Sequence, residues 1–235
     1  MIAILGAMQV EIDEILKYVE VTKEIPNNGL TIYEGIIENT DVVVVLSGVG
    51  GNKASMSITQ ILERYPVTSV INIGTAGGLK NYEEVLDVVI SERVLKHDFD
   101  TAVVYNIPLG FHDENKLVFN SDVGLQILAK ELLESYTESK VYVGDIVSGD
   151  RFIYKEEDVN YIAGNFDSAL CADMESSSIA EVCNFYNVPF IIIRSLSDIA
   201  VKEGNELDFD KYVQKASSRS AHFVKEFVRK IKTSN

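Results

Sequence analysis

The chain has 235 residues, 46% of them apolar, which is enough for a full core and sits at the upper end of single-domain lengths, so one domain over residues 1–235 is expected. Its 36 acidic residues outnumber 21 basic ones, and a net charge of −15 argues against nucleic acid or an anionic membrane surface as partner; a small neutral or cationic ligand fits it better, and plain solubility accounts for it more simply still. Two cysteines, Cys171 and Cys183, do not make a disulfide framework and point to a reducing cytoplasm, and no His/Cys group has metal-ligand spacing.

The opening Met1–Met8 is apolar and short, and Glu11 and Asp13 follow at once, so Ile2–Leu5 reads as a first buried strand and not as a leader. Thr31–Ile37 reads as a further strand, with Asn27-Asn28-Gly29 as the turn before it. Val42–Leu46, Val70–Ile73, Val88–Ile90, Val141–Val147 and Phe190–Ile193 are apolar, β-branched runs that suit strands covered on both faces. Helical stripes lie between them: Ala54, Ile58, Ile61 and Leu62; Leu125, Leu128, Leu132 and Leu133; Met174, Ile179, Val182 and Cys183. Tyr212, Phe223, Phe227 and Ile231 fall in a long C-terminal helix, with Lys202–Glu206 as a loop before it. No apolar run reaches the roughly 18 residues of a membrane span. The alternation predicts an α/β fold, a single-domain three-layer α/β/α arrangement around a central mixed sheet.

Ligands of open α/β sheets bind outside the carboxyl ends of the strands, so those ends are where chemistry is sought. The first ends in Gly6-Ala7-Met8, with Glu11 in the first turns of the helix that follows; a helix dipole alone also selects an acid there. Ser47-Gly48-Val49-Gly50-Gly51 is neither a dinucleotide fingerprint, since Lys53 stands at its third glycine, nor a P-loop; it says only that backbone passes close to something. Gly74-Thr75-Ala76-Gly77-Gly78 is either a close ligand approach or a plain tight turn. Phe152, just past Gly149-Asp150, either stacks on a planar base or belongs to the core. Ala172-Asp173-Met174-Glu175 is expected to open a helix. Arg194-Ser195-Leu196-Ser197-Asp198, directly after three isoleucines, is hard to explain as packing, because Arg and Asp are seldom buried unpaired. His97-Asp98 is read as a hydrogen-bonded pair or, more simply, as a structural histidine.

Taken in order, these segments resemble the 5′-methylthioadenosine/S-adenosylhomocysteine nucleosidases of the nucleoside phosphorylase superfamily. The residues that carry it are Ile4-Leu5-Gly6-Ala7-Met8 with Glu11, Ser47-Gly48-Val49-Gly50, Asn72–Leu79, Val147–Asp150 with Phe152, Asp173-Met174-Glu175 and Arg194–Asp198. The resemblance implies that Glu11 activates the attacking water and that Asp198, oriented by Ser197, is the acid at adenine N7. It implies stacking of adenine on Phe152, with the Ile153 backbone at the base edge. Glu175 and the Met174 backbone would bind the ribose hydroxyls, with Asp173 in the same motif and Arg194 supporting Glu175. Thr75 and Ala76 would line the ribose and nucleophile side and Val49 and Phe209 the 5′-alkylthio pocket, with Met8 and Gly77 as further substrate-binding residues. A homodimer is implied, in which the partner's 99–120 segment caps the pocket. That segment departs from the family pattern, and Val104, Ile107, Pro108 and Phe111 are its candidate capping residues. No cofactor and no metal are implied.

The chemistry needs these residue types. Cleaving an N-glycosidic bond makes the base a leaving group and gives the ribose oxocarbenium character, so an acid, a nearby negative charge and a water-activating base each contribute, the acid–base groups by about 10²–10⁴-fold. The acid role needs Asp198 protonated near neutrality, far above the ordinary value of about 3.9, and burial pushes in that direction. Met8–Glu14 holds three acids and no basic residue, which would repel phosphate, so water is favoured over phosphate as nucleophile. The alternatives are a purine nucleoside phosphorylase, a nucleosidase for another adenine nucleoside such as 6-amino-6-deoxyfutalosine, and a non-catalytic nucleoside binder, which would not need Glu11.

Overall fold

A computed structural model describes residues 1–27, 30–101, 104, 106, 109, 111–112, 115–202 and 205–233, with side chains at these positions except 27, 30, 111, 112, 115, 116, 205–211, 232 and 233. In chain order the elements are β1 (Ile2–Gly6), α1 (Gln9–Leu16), β2 (Glu20–Asn27), β3 (Leu30–Ile37), β4 (Thr40–Leu46), α2 (Gly51–Arg64), β5 (Ser69–Gly78) and β6 (Val88–Lys96). The short β7 (Phe111–His112), β8 (Asn115–Lys116) and β9 (Val118–Asn120) follow, then α3 (Val123–Tyr136), β10 (Val141–Ser148), α4 (Glu156–Asn165), β11 (Ala169–Asp173), α5 (Ser176–Tyr186), β12 (Phe190–Ile199) and α6 (Asn205–Thr233).

The main sheet runs β2-β3-β4-β1-β5-β12-β6-β10-β11, with β9 paired to β6. It is mixed: β1 is parallel to both β4 and β5, while β2–β3–β4 is an antiparallel meander. β11 also pairs antiparallel with the end of β5, Cys171 opposite Gly78 and Ala172 opposite Gly77, so this half of the sheet curls back on itself. The apolar runs are explained by burial on both faces. Ile2 and Ile4 of β1 point to one core, shared with α1, α3 and α6 through Ile12, Leu133 and Phe227; Ala3 and Leu5 point to the other, shared with α2 and α5 through Ile58 and Ile179. These are the three layers expected. Among the described residues no helix is long and apolar enough to cross a membrane.

The differences from the sequence reading fall at the pocket end. β5 and β12 each run to ten residues, so the Gly74–Gly78 and Arg194–Asp198 motifs are strand and not turn. Ala172 and Asp173 close a strand, and α5 starts only at Ser176 with Glu175 as N-cap. Six elements were not expected: β2, whose alternating polar residues lie on a sheet edge, the two- and three-residue strands β7, β8 and β9, β11, a run of only five residues, and the acidic α4. In the expected Asn27–Gly29 turn, Asn28 and Gly29 lie outside the described residues, and Asn27 pairs with Leu30 across the hairpin.

Candidate active site

β1 delivers the chain to Met8, the N-cap of α1, and Glu11 is the third residue of that helix. Its carboxyl turns back on the entering backbone: Oε2 accepts the amides of Ala7 at 2.8 Å and Met8 at 3.0 Å, the reach-back half of a capping box. Oε1 accepts the Thr75 amide of β5 at 3.3 Å. Glu11 is 2% exposed, and burial raises its pKa above the usual carboxylate value although the Met8 amide, Arg194 and the Ala7 and Thr75 amides pull it down.

Arg194 of β12 is the other centre of the floor. Its Nε donates to Asp173 Oδ2 at 2.6 Å, and Nη2 donates to Asn72 Oδ1 at 2.5 Å and Ser176 Oγ at 2.9 Å. The Ser176 hydroxyl also donates to Asp173 Oδ2. Arg194 is thus bonded to Asp173 and not to Glu175, the residue it was expected to support, which it reaches only through its field. Glu175 Oε1 accepts the Gly50 amide at 2.8 Å, so the Gly-rich turn after β4 passes close to a carboxylate. Burial first, and the Asp173 charge second, push the Glu175 pKa up to about 7 against the Gly50 amide and Arg194. Gly74 lets these groups meet: a Cβ there would stand 3.0 Å from Glu11 Oε1 and 3.2 Å from Arg194 Nη1.

Asp198 is fully buried, and the Ser197 hydroxyl donates to its Oδ1 at 2.8 Å. A bulge at Ser197 moves the register with β5 from Leu196 opposite Ala76 to Asp198 opposite Gly77, and both Ser197 and Asp198 reach one pocket.

That pocket encloses about 630 Å³, its mouth included, within the usual range for small-molecule sites. Glu11, Glu175 and Asp198 line it together with Met8, Val49, Thr75, Ala76, Gly77, Phe152, Asp173, Met174, Arg194 and Ser197. Ile153 lines a neighbouring cavity with His97, Asp98 and Arg151 instead. The side chain of Phe209 lies outside the described residues. Of the capping candidates, Val104 is 75% exposed, Ile107 and Pro108 lie outside the described residues, and Phe111 is described only as backbone in β7. Ala7, Ile73, Gly74 and Ala172 also line the pocket; they lie within the motifs read from the sequence but were not named as site residues, because they present only backbone or apolar surface. Asn72 was detectable as the one polar residue in Val70–Ile73. His97 is buried, and burial draws its pKa down; Asp98 accepts the Asp150 amide at 2.8 Å. Among the described residues no three His, Cys, Asp or Glu side chains converge as a metal site.

A family profile of the phosphorylase superfamily matches residues 1–229. A 5′-methylthioadenosine/S-adenosylhomocysteine nucleosidase of Chromohalobacter salexigens is 37% identical over 234 residues, 100% of this chain and 99% of the relative. The nucleosidase of the same name from Neisseria meningitidis, solved in complex with methylthio-immucillin-A, superposes with a TM-score of 0.92 at 33% identity over 97% of this chain and 98% of that one. A futalosine hydrolase of Helicobacter pylori superposes with a TM-score of 0.90 at 31% identity over 97% of each chain.

Proposed function

The chain belongs to the phosphorylase superfamily, and from that premise we propose that it hydrolyses the N-glycosidic bond of 5′-methylthioadenosine and S-adenosylhomocysteine, releasing adenine and the 5-thio-substituted ribose. The observation that carries this reading is the convergence in one pocket of three buried carboxyl groups, Glu11, Glu175 and Asp198, around a guanidinium already committed to Asp173 and Asn72. Arg194 is the only Lys or Arg among the described lining residues. A phosphate dianion would meet Glu11 and Glu175 with no free cation to offset them, whereas water meets a base.

Three roles follow. Glu11, raised above its usual pKa yet held by backbone amides, is a carboxylate poised to take a proton from water at the anomeric carbon. Glu175 binds the ribose hydroxyls and lends negative charge to the oxocarbenium-like sugar. Asp198, dry and fixed by Ser197, donates to adenine N7 as the glycosidic bond breaks. Phe152, 42% exposed at the mouth, offers its ring face to the base, and Val49, 48% exposed, offers an apolar surface to the 5′-thioalkyl group. Thr75 and Ala76 bound the nucleophile side.

The open mouth supports a homodimer in which the partner's 99–120 segment caps the site; sedimentation at assay concentration tests it. A cytoplasmic location fits two buried free thiols. The futalosine hydrolase likeness keeps a second substrate in view, another adenine nucleoside such as 6-amino-6-deoxyfutalosine.

The deciding experiment is adenine release from both thio-nucleosides in phosphate-free buffer, repeated with phosphate. Release without phosphate is the expected result. Release only with phosphate would make the chain a phosphorylase and remove Glu11 as base, while faster turnover of 6-amino-6-deoxyfutalosine in competition would reassign the substrate.

A further inference from the structure

Behind the pocket lies a carboxyl group that none of the roles above uses. Glu83, in the turn after β5, is 0% exposed. Its Oε2 accepts the Lys80 amide at 3.0 Å, and its Oε1 has no hydrogen-bond partner. A buried polar atom left alone is costly, so the group is held there by what surrounds it. It faces Gly78, the last residue of β5, where a Cβ would stand 2.7 Å from Glu83 Oε2, 2.8 Å from Ile199 Cδ1 and 3.0 Å from Leu196 Cδ1. Carboxyl, strand end and two apolar side chains of β12 therefore meet at one point.

The same turn ties the ends of β5 and β12 together. Lys202, just past β12, donates from Nζ to the Glu83 carbonyl at 2.8 Å, and the Ala200 amide donates to the Gly78 carbonyl at 2.8 Å. One residue before Gly78, Gly77 pairs with Asp198, and a Cβ on Gly77 would lie 3.1 Å from Asp198 Oδ2. The Glu83 turn thus braces the strand pair whose register sets Asp198.

The surroundings favour the neutral carboxyl. Burial raises its pKa to about 7; the Lys80 and Leu79 amides and the Lys80 charge pull down, and Asp87 pushes up. From the other elements it faces Cys171 of β11, Tyr142 of β10 and Tyr82 of its own turn, all uncharged near neutrality, and apolar side chains of β12. Lys202 spends its ammonium on a carbonyl.

We propose that Glu83 is a positioning residue for Asp198: its neutral carboxyl packs against Gly78, Leu196 and Ile199 at the paired ends of β5 and β12, and ionisation puts a charge with no partner for Oε1 at that contact and loosens it, so that adenine release falls as pH rises past neutrality. This rests on the nucleosidase reading.

The test compares the wild-type protein with E83Q, which keeps the neutral shape, by adenine release from 5′-methylthioadenosine and by Tm between about pH 6 and about pH 8.5. The two chains are expected to match at the lower pH, and E83Q to exceed wild type in kcat by about threefold or more at the higher one, with a smaller fall in Tm. Glu175 titrates in the same range but is present in both chains, so its contribution cancels in the ratio. If E83Q does not fold, Glu83→Leu, also neutral, is expected to lose the same step. Parallel kcat profiles overturn the proposal and leave Glu83 a stability element only. Release from neither chain at any pH sinks the nucleosidase reading and this proposal with it.

Discussion

On the floor of the pocket Glu11, Glu175, Arg194 and Asp198 are at most 7% exposed, and hydrogen bonds hold each of them. At the mouth Val49 and Phe152 are 48% and 42% exposed, and the ring of Phe152 leans on Tyr154, with centroids 6.1 Å apart. One region is polar, dry and braced by distant backbone; the other is apolar and open. The floor is finished by one chain, because charge separated from water must be satisfied locally. The rim is apolar surface that gains only when something covers it. The floor therefore governs the chemistry, and the rim governs affinity.

If that division holds, substitutions on the floor reduce kcat and those on the rim raise KM. The largest effect is expected for Asp198→Asn, a loss of about 10²–10⁴-fold in kcat with the fold intact by circular dichroism. Near-normal turnover would remove Asp198 as the acid. Glu11→Gln is expected to lose hydrolysis on a comparable scale while still binding a non-hydrolysable adenine nucleoside in calorimetry, and full activity would send the base role elsewhere. Asp173→Ala strands the Arg194 charge, whose ion-pair partners are each 2% exposed, and is expected to cost about 3–5 kcal/mol in denaturant unfolding; a cost under about 1 kcal/mol would mean that the floor is not braced by this pair. On the rim, Phe152→Ala is expected to weaken adenine binding by about 1–3 kcal/mol with kcat nearly unchanged. A fall in kcat without a change in binding would blur the comparison.

The smallest effect is one of pH on stability, and it sharpens the floor side alone. Glu175 and Glu11 have pKa values raised in the folded chain from 4.5, Glu175 to about 7. The stabilisation from the retained proton of Glu175 is complete below about 4.5 and is lost as pH rises through about 7, and Glu11 adds a contribution of the same sign. Glu175→Gln is expected to flatten part of the Tm decline over that range, and a decline of unchanged slope would refute the raised value.

Much of the fold was legible because burial on both faces leaves an unbroken apolar run, and six such runs fell on β1, β4, β5, β6, β10 and β12. Strands without that mark, such as Glu20–Asn27 on the sheet edge, gave no comparable signal. The strand-end rule found the pocket neighbourhood, yet it misjudged where β5 and β12 stop, since glycine and charge look like punctuation when their partners are invisible. Ile153 shows the same limit: it adjoins Phe152 in sequence but lines a different cavity.

By itself, the sequence determined the α/β class, the layers on either side of the sheet and the segments that bring carboxylates to one end of it. These depend on local periodicity, which neighbouring residues set. Only the tertiary structure decided that Arg194 binds Asp173 and Asn72 in preference to Glu175, that Gly50 and Glu175 meet, and that a bulge at Ser197 aims Asp198 into the pocket. Gly50 and Glu175 are 125 positions apart, and Arg194 and Asn72 are 122 apart. A buried polar group takes whichever partner the packed strands bring within 3 Å or so, and no local pattern encodes that choice.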